Sequence, residues 1–153
     1  MEDLNIIIRP YRPSDKASLV TLLKLLTPKY FAQSEIQDYE NYLDTEVELY
    51  FVMEYASKIV GAGGINFVEK HTVGRISWDV VHPEIQGKKI GQKLLQYRIT
   101  LLKSMPAIRE ITVRTSQLAY LFYQKNGFSL LEIQKDYWAK GYDLYSMKYQ
   151  HIV

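Results

Sequence analysis

The chain has 153 residues, of which 47% are hydrophobic and 24% are charged, so its composition fits a single globular domain over residues 1–153. Its 19 basic and 17 acidic residues leave a net charge of +2, which argues against a dedicated nucleic-acid-binding surface. The absence of cysteine excludes disulfides and thiolate nucleophiles, and no apolar run approaches the ~20 residues that span a bilayer. We therefore expect a cytoplasmic protein that binds neither nucleic acid nor membrane.

The first third of the chain predicts one strand followed by two helices. Residues 6–8 are three isoleucines and read as a short strand. Ser14 or Asp15 can cap the next helix, and its buried stripe falls at i, i+3, i+4 and i+7, namely Leu19, Leu22, Leu23 and Leu26. A second, more acidic helix is expected over residues 34–43.

Three strands are predicted next. Residues 48–55 and 58–69 are β-rich and separated by Ala56-Ser57, which predicts a hairpin, and three glycines in its second strand indicate a bulge: Gly61, Gly63 and Gly64. Residues 75–81 alternate, so Ile76, Trp78 and Val80 are expected on a core face. The opposite face would then carry Arg75, Ser77, Asp79 and Val81.

The second half predicts a long helix, a strand, a short helix and two strands. The long helix is expected over residues 88–104, with a buried stripe at Ile90, Leu94, Tyr97 and Leu101. A strand over 110–115 precedes a helix over 117–125 that Ser116 can cap, and strands follow over 128–137 and 142–149. The complete order is that of an α/β fold.

The turn before the long helix has the features of a phosphate-binding loop. Backbone N–H groups in the first turn of a helix lack intrahelical partners, and the helix dipole makes that end positive. Gly87 permits unusual backbone torsions, Gly91 permits close approach of a ligand, and three lysines add positive charge: Lys88, Lys89 and Lys93. These features favour a diphosphate; the alternative is an ordinary strand-to-helix turn with solvated lysines.

Two segments in order resemble the GNAT superfamily of acyl-CoA-dependent N-acetyltransferases. Residues 81–95 match that family's Q/R-x-x-G-x-G/A loop, and residues 116–128 match its N-x-x-A-x-x-F/L-Y-x-K-x-G-F segment. The start, Ile8-Arg9-Pro10 with Asp15, is also similar, so the likeness covers nearly the whole chain. The resemblance implies the order β-α-α-β-β-β-α-β-α-β-β, with a mixed sheet splayed between its fourth and fifth strands.

The same resemblance implies acetyl-CoA as cosubstrate, with no metal. The backbone of Val81 would pair with the pantetheine arm and the loop would hold the diphosphate, giving cofactor contacts at Val81, Gln86, Gly87, Lys88, Lys89, Ile90, Gly91, Gln92, Ser116 and Tyr123. Two positions depart from the family pattern. Lys89 replaces the middle glycine, although its ammonium can reach a phosphate, and Ser116 replaces an asparagine and can serve instead as a helix cap.

For catalysis, the resemblance implies that Tyr123 protonates the departing thiolate. A phenol with a pKa of about 10 is a reasonable acid for a thiol with a pKa near 8.5; the alternative is a tyrosine that only packs in the core. Asp79 is the best-placed candidate base and can equally be a structural ion-pair partner. The backbone N–H of Val81 would meet the oxyanion.

Acceptor binding in this family falls to the loop between the first two helices and to the end of the chain. Those segments supply an aromatic rim with one acidic member, which suits a cationic amine, although such side chains often simply pack: Tyr30, Phe31, Glu35, Tyr137, Trp138 and Tyr142. A small amine, an amino acid, a peptide N-terminus and a protein lysine all remain open. The three histidines, His71, His82 and His151, lie too far apart in sequence to predict a metal site.

Two functions are compatible with these patterns. The first is an N-acetyltransferase that moves an acetyl group from acetyl-CoA to a primary amine by direct transfer in a ternary complex, since the chain has no cysteine for a thioester intermediate. The alternative is a non-catalytic acyl-CoA-binding sensor or a protein-interaction module. A homodimer is also compatible with the sheet edges expected from the late strands.

Overall fold

The computed structural model describes residues 5–85 and 89–150, whose strands form one seven-stranded sheet. The strands are β1 Ile6–Pro10, β2 Leu49–Tyr55, β3 Lys58–Val68, β4 Val73–Val81, β5 Glu110–Thr115, β6 Phe128–Ala139 and β7 Tyr142–Tyr149. Their order across the sheet is β1-β2-β3-β4-β5-β7-β6. Strands β4 and β5 run parallel, whereas the other neighbours run antiparallel. The predicted α/β fold with a mixed sheet is confirmed.

Helices cover both faces of the sheet, at α1 Lys16–Leu25, α2 Glu35–Thr45, α3 Ile90–Lys103 and α4 Tyr120–Lys125, after a 3-10 turn at Pro13–Asp15. The predicted leucine stripe of α1 is buried, with exposures of 0–4%, and packs with α2 against one face. Each fully buried leucine contributes about 1.5–3 kcal/mol of hydrophobic stabilisation. Helices α3 and α4 pack on the opposite face. No helix in the described ranges is both long and apolar enough to cross a membrane.

The glycine-rich strand β3 carries the predicted bulge. Its register with β4 shifts between Ala62 and Gly64, so that Gly63 lies opposite two residues, Trp78 and Asp79. Trp78 adopts a left-handed backbone with φ of 50°. The hydroxyl of Tyr50 donates a hydrogen bond of 2.7 Å to the Trp78 carbonyl and so holds this irregular backbone in place.

The bulge makes the predicted faces of β4 partly wrong. Ile76 lies in the core beneath α3, whereas Trp78 and Val80 pack on the opposite face with α1 and α2. Ser77 lies on that same opposite face, close enough to the Tyr42 hydroxyl of α2 to offset part of the rise in its pKa that burial causes. The extra residue of a bulge interrupts the two-residue alternation of a strand, so the pattern reverses after residue 77.

Strands β4 and β5 separate after a short parallel ladder. Their pairing runs from Val73 with Glu110 to Ile76 with Val113 and ends there. Both strands nevertheless continue, to Val81 and to Thr115. The predicted splay between the fourth and fifth strands is therefore confirmed, and it opens a cleft in the middle of the sheet.

Two helices differ in detail from the sequence predictions. Helix α4 begins at Tyr120 rather than at residue 117, because the N–H groups of Ala119 and Tyr120 both bond to the Ser116 carbonyl and form a turn first. In α3, Tyr97 is 43% exposed, whereas Arg98 is fully buried. The buried stripe follows i, i+4 spacing from Leu94, which brings Arg98 under the helix.

Candidate active site

The cleft between β4 and β5 has a volume of about 1190 Å³. It extends from the start of α3, past the separated strand ends and the turn before α4, to the acidic face of α2. Of the predicted cofactor contacts, seven line this space: Val81, Lys89, Ile90, Gly91, Gln92, Ser116 and Tyr123. The remaining three, Gln86, Gly87 and Lys88, lie outside the described residues.

The start of α3 has the electrostatics that an anionic group requires. The first turn of α3 contains no acidic residue, so the unpaired N–H groups and the positive dipole end are not neutralised within it. Lys89 precedes the helix, and its carbonyl accepts the first helical bond from Lys93 at 3.0 Å. These observations fit the diphosphate of a CoA thioester at this end of the cleft.

Lys89 occupies a backbone conformation that favours glycine. Its φ and ψ are 62° and 19°, in the left-handed region. This conformation costs an L-residue about 1–2 kcal/mol. The geometry thus explains why the related motif has glycine here, and it shows that this chain retains the turn despite the lysine side chain.

Replacing Lys89 with glycine is expected to raise the free energy of unfolding by about 0.5–1 kcal/mol, because glycine adopts positive φ without a steric cost. The added entropy of glycine in the unfolded chain keeps the gain small. Urea denaturation of the two proteins measures the difference. Lys93→Gly, in the first turns of the same helix, is the matched control and is expected to lower stability by about 1 kcal/mol. A loss of stability in both variants would contradict the strain at Lys89.

Three side chains from three elements meet in the middle of the cleft. The Tyr123 hydroxyl of α4 donates a hydrogen bond of 2.6 Å to Asp79 Oδ2 of β4. Arg98 of α3 approaches the other carboxylate oxygen, with Nη1 2.6 Å from Oδ1. Nη1 also donates to the Gly64 carbonyl at 3.0 Å, and Nε donates to the Leu94 carbonyl at 3.3 Å.

Arg98 and Asp79 both keep unused hydrogen-bonding capacity in this buried place. Arg98 Nη2 and Asp79 Oδ1 are buried and have no hydrogen-bond partner among the described residues. Arg98 Nη1 and Asp79 Oδ1 therefore form an ion pair but not a hydrogen bond. Because the two atoms are only 2.6 Å apart, we attribute the missing hydrogen bond to an unfavourable angle between the two groups. Buried polar atoms of this kind are rare and often mark a functional site.

Gly63 makes room for the Asp79–Arg98 pair against β3. A Cβ at this position would lie 2.3 Å from Asp79 Oδ1 and 2.8 Å from Arg98 Nη1. Both distances are far below contact distance, so any larger residue would displace the ion pair. Position 63 therefore requires a glycine, because a larger side chain would overlap the ion pair. The bulge also turns the side chains of Asp79 and Val81 toward α3.

Tyr123 combines a packed ring with a polar tip. The side chain is 5% exposed, and its ring packs edge-on against Phe122 and Phe128. Burial raises the pKa of Tyr123 well above its usual value near 10, and the charge and hydrogen bond of Asp79 raise it further, while Arg98 acts in the opposite direction. The phenol is therefore protonated over the whole physiological pH range. Its ring packs in the core, as the packing alternative predicts, and its hydroxyl bonds to Asp79 at the cleft.

Ser116 acts as a cap in the turn before α4. It is 8% exposed, and its Oγ accepts a hydrogen bond of 3.2 Å from the Leu118 N–H. The N-cap of α4 itself is Ala119. Ser116 therefore stabilises the turn rather than the helix end that the sequence predicted, and its predicted contact with the cofactor stays a prediction.

The predicted acceptor residues lie at the far end of the cleft. Its lining includes Tyr30, Phe31, Glu35, Trp138 and Tyr142. Phe31 stacks on Trp78 with centroids 6.1 Å apart, and the Tyr142 hydroxyl donates to the Pro28 carbonyl at 2.7 Å. Tyr137 instead contacts Trp138 and Arg114 near the surface.

Glu35 has a structural contact at the start of α2. Its carboxylate accepts the Ala32 N–H at 2.7 Å, the residue is 6% exposed, and burial raises its pKa. More exposed acids also line the cleft from α2 and the following segment: Asp38, Glu46 and Glu48. Within the described ranges, no group of three or more histidine, aspartate and glutamate residues is placed to hold a metal ion.

The buried position of Arg98 was not predicted, although the sequence contains a signal for it. It lies at i+4 from Leu94 and at i−4 from Leu102, so helical spacing places it in the apolar stripe. A charged residue in such a stripe needs a buried partner. The other two arginines that line the cleft, Arg75 and Arg114, had no comparable signal, because charged residues on alternating strands usually face solvent.

The seven-stranded mixed sheet, splayed between its parallel strands β4 and β5, has the architecture of an acetyltransferase fold. Residues 20–151 match the family model described as Acetyltransferase (GNAT) domain, so the chain belongs to the GNAT acetyltransferases. A comparison with curated proteins found no match.

Solved structures of acetyltransferases share this fold at low sequence identity. A protein of Desulfovibrio desulfuricans assigned to the GNAT family has a TM-score of 0.81 and 16% identity, covering 95% of this chain and 98% of its own. An aminoglycoside 6'-N-acetyltransferase complexed with coenzyme A has a TM-score of 0.76 and 18% identity, covering 96% and 97%. The ribosomal-protein-S18-alanine N-acetyltransferase of Escherichia coli has a TM-score of 0.76 and 18% identity, covering 94% and 92%.

Proposed function

We propose that this protein transfers the acetyl group of acetyl-CoA to a primary amine, directly and within a ternary complex. The observation that carries the proposal is the hydrogen bond of 2.6 Å between Tyr123 and Asp79, inside the cleft that the separated parallel strands open. The pair would supply a proton donor and a proton acceptor side by side, at the position where we expect the acyl group to lie. Membership of the GNAT family supports acetyl transfer as the reaction type.

Acetyl-CoA would bind to the residues at the end of the cleft where α3 begins. When bound, this cosubstrate supplies an acetyl group activated by a thiol leaving group. The open N–H groups at the start of α3 and the ammonium of Lys89 would bind its diphosphate, together with residues 86–88 of the same loop. Val81, at the end of β4 that has separated from β5, would pair with the pantetheine arm through its backbone.

Asp79 and Tyr123 would manage the protons of the transfer as a pair. Asp79 takes the N–H proton of the attacking amine as the new C–N bond forms. Tyr123 gives its phenolic proton to the sulfur as the C–S bond breaks, and then regains a proton from Asp79 along their hydrogen bond. Because this return is immediate, the raised pKa of Tyr123 does not require a lasting tyrosinate. The pair returns to its starting protonation state after each turnover.

The acceptor end of the cleft is suited to bind an amine substrate that carries a second, positively charged group. Its walls combine aromatic faces with acidic side chains, which stabilise cations through both π-faces and charge: Phe31, Trp78, Trp138, Asp38, Glu46 and Glu48. Two of the compared proteins are named for amine acceptors, an aminoglycoside and a ribosomal-protein alanine. We extend amine acetylation from those proteins to this chain as part of the proposal.

Calorimetric titration with acetyl-CoA, followed by thiol-release assays with a panel of amines, tests this function. We expect saturable binding and amine-dependent CoA release. Absence of binding at millimolar acetyl-CoA would overturn the proposal. Binding without turnover of any amine would favour the alternative, a non-catalytic acyl-CoA sensor, for which the substitutions at Lys89 and Ser116 are the motivating observations.

A further inference from the structure

Two arginines lie together on the acceptor side of the cleft. Arg75 on β4 and Arg114 on β5 both line it. Their strand neighbours Ile76 and Val113 form the last pair of the parallel ladder and are buried beneath α3. Because strand residues alternate, both guanidinium groups lie on the opposite face of the sheet, the face that α2 covers.

Neither arginine is in an ion pair in the part of the chain that the structure describes, although the charge of Glu69 acts on Arg75 from beyond ion-pair distance. The ion pairs of that part involve other cations, and Arg75 Nε is buried without a hydrogen-bond partner. Arg114 lies against two aromatic rings, 5.1 Å from the centroid of Tyr137 and 5.5 Å from that of Trp138, and donates a hydrogen bond to the Tyr137 hydroxyl. These contacts orient its guanidinium without neutralising it.

The two guanidinium groups are close enough for the charge of one to change the pKa of the other. Burial lowers the pKa of Arg75, and the positive charge of Arg114 lowers it further. Two like charges in a partly buried cleft, one of them with an unsatisfied N–H, raise the free energy of the empty site. A bound anion that accepts hydrogen bonds from both would remove this penalty.

The position of the pair separates it from the end of the cleft that fits the cofactor diphosphate. Arg75 precedes Val81 by six residues on β4, a separation of at most roughly 20 Å because the bulge at Trp78 shortens the strand. The phosphate-binding features lie beyond Val81, at Lys89 and the start of α3. The anion that Arg75 and Arg114 would bind is therefore on the acceptor side.

We propose that Arg75 and Arg114 bind a carboxylate of the acceptor, so that the acceptor is an amino acid or a similar small zwitterionic amine. This inference rests on the proposed acetyltransferase function and names its substrate class. Guanidinium groups match a carboxylate geometrically and donate paired, charge-assisted hydrogen bonds to it. The acidic and aromatic wall from α2 would then face the cationic part of the same molecule.

Matched acceptors test the inference on the unmodified protein. The common L-amino acids are compared with their amides and with the corresponding decarboxylated amines, for example lysine, lysinamide and cadaverine. We expect kcat/KM for the best amino acid to exceed that of its amide and its decarboxylated amine by about 100-fold, because two charge-assisted contacts are lost. The corresponding N-acetyl amino acid should also bind in calorimetry, and its amide should bind more weakly.

Three variants then assign the effect to the two side chains. Arg75→Gln and Arg114→Gln are expected to raise KM for the amino acid at least about 10-fold, with little change in kcat or in affinity for acetyl-CoA. Arg109→Gln, an exposed position outside the lining of the cleft, is the matched control and should behave as the parent protein does. Thermal unfolding of each variant verifies that it is folded.

The outcomes separate the two proposals. Equal turnover of amino acids, their amides and decarboxylated amines would overturn the carboxylate site and leave the acetyltransferase function standing. So would arginine variants whose KM changes no more than that of Arg109→Gln. Acetyl-CoA binding without turnover of any amine would overturn the acetyltransferase function and the carboxylate site with it.

Discussion

Replacing Tyr123 with phenylalanine is expected to lower kcat by at least about 100-fold, while affinity for acetyl-CoA changes by no more than about 2-fold to 3-fold. The substitution keeps the ring, which packs between Phe122 and Phe128, and removes the hydroxyl that donates to Asp79. The leaving sulfur then has no proton donor, and Asp79 loses the partner to which it returns a proton. Single-turnover kinetics with saturating acetyl-CoA and amine measures this chemical step directly.

Tyr120→Phe is the matched control for this experiment. Tyr120 begins the same helix, and its ring packs on Tyr145 with centroids 4.6 Å apart. The same atom is removed in both variants, but only Tyr123 lines the cleft. An unchanged kcat in Tyr123→Phe, under conditions where chemistry limits the rate, would remove Tyr123 from the proton-donor role.

The pH dependence of the parent protein provides an independent check on Tyr123. Because burial and the Asp79 charge raise the pKa of Tyr123 well above its ordinary value near 10, its phenol keeps its proton as the pH rises. We therefore expect no alkaline loss of kcat from this group up to about pH 10. An alkaline limb below that pH that disappears in Tyr123→Phe would contradict the assigned direction.

Replacing Arg98 with methionine is expected to lower the free energy of unfolding by about 3–5 kcal/mol. Methionine retains much of the length of the arginine side chain but removes the only positive charge that is ion-paired with Asp79 in the described residues. The carboxylate would then stay in a largely desolvated cleft without its counter-charge, and the Gly64 carbonyl would lose a hydrogen bond. Urea denaturation followed by circular dichroism measures the change.

The double variant Asp79→Asn, Arg98→Met isolates the cause of that loss. Removing both charges together eliminates the uncompensated carboxylate, so most of the stability should return. The asparagine carbonyl can still accept the hydrogen bond from Tyr123. A loss of less than about 1 kcal/mol in Arg98→Met alone, or no recovery in the double variant, would show that the ion pair does not stabilise the fold.

Local patterns in the sequence were sufficient for the elements and for the family. The leucine spacing of α1, the Ala56-Ser57 turn and the Asn126-Gly127 stop each depend on residues that are neighbours along the chain. Hydrophobic periodicity and turn chemistry act over such short distances and can be read directly. The same holds for the two segments that resemble the GNAT family, because each motif is continuous.

Strand β4 and helix α3 both depart from what their local sequence patterns predict, and the physical origin is the same. The faces of β4 after residue 77 were wrong because the left-handed Trp78 adds a residue to the strand opposite Gly63. The stripe of α3 was wrong at Tyr97 because a charged residue, Arg98, takes the buried position. In both cases a contact with another element overrides the local pattern. The sequence of a single strand or helix does not specify which residues of another element it will contact.

The sequence by itself determined the order of the elements, the splayed GNAT fold, the candidacy of the lysine-rich turn before α3 as an anion-binding site and the candidacy of Tyr123. Only the tertiary structure decided which side chains meet in the cleft: Asp79 with Tyr123 and Arg98, and Arg75 beside Arg114. These side-chain contacts depend on the bulge in β3 and β4, on the register of the parallel strands β4 and β5, and on the point where these two strands separate. Long-range geometry of this kind arises from packing between distant segments, whereas the elements arise from interactions along the chain.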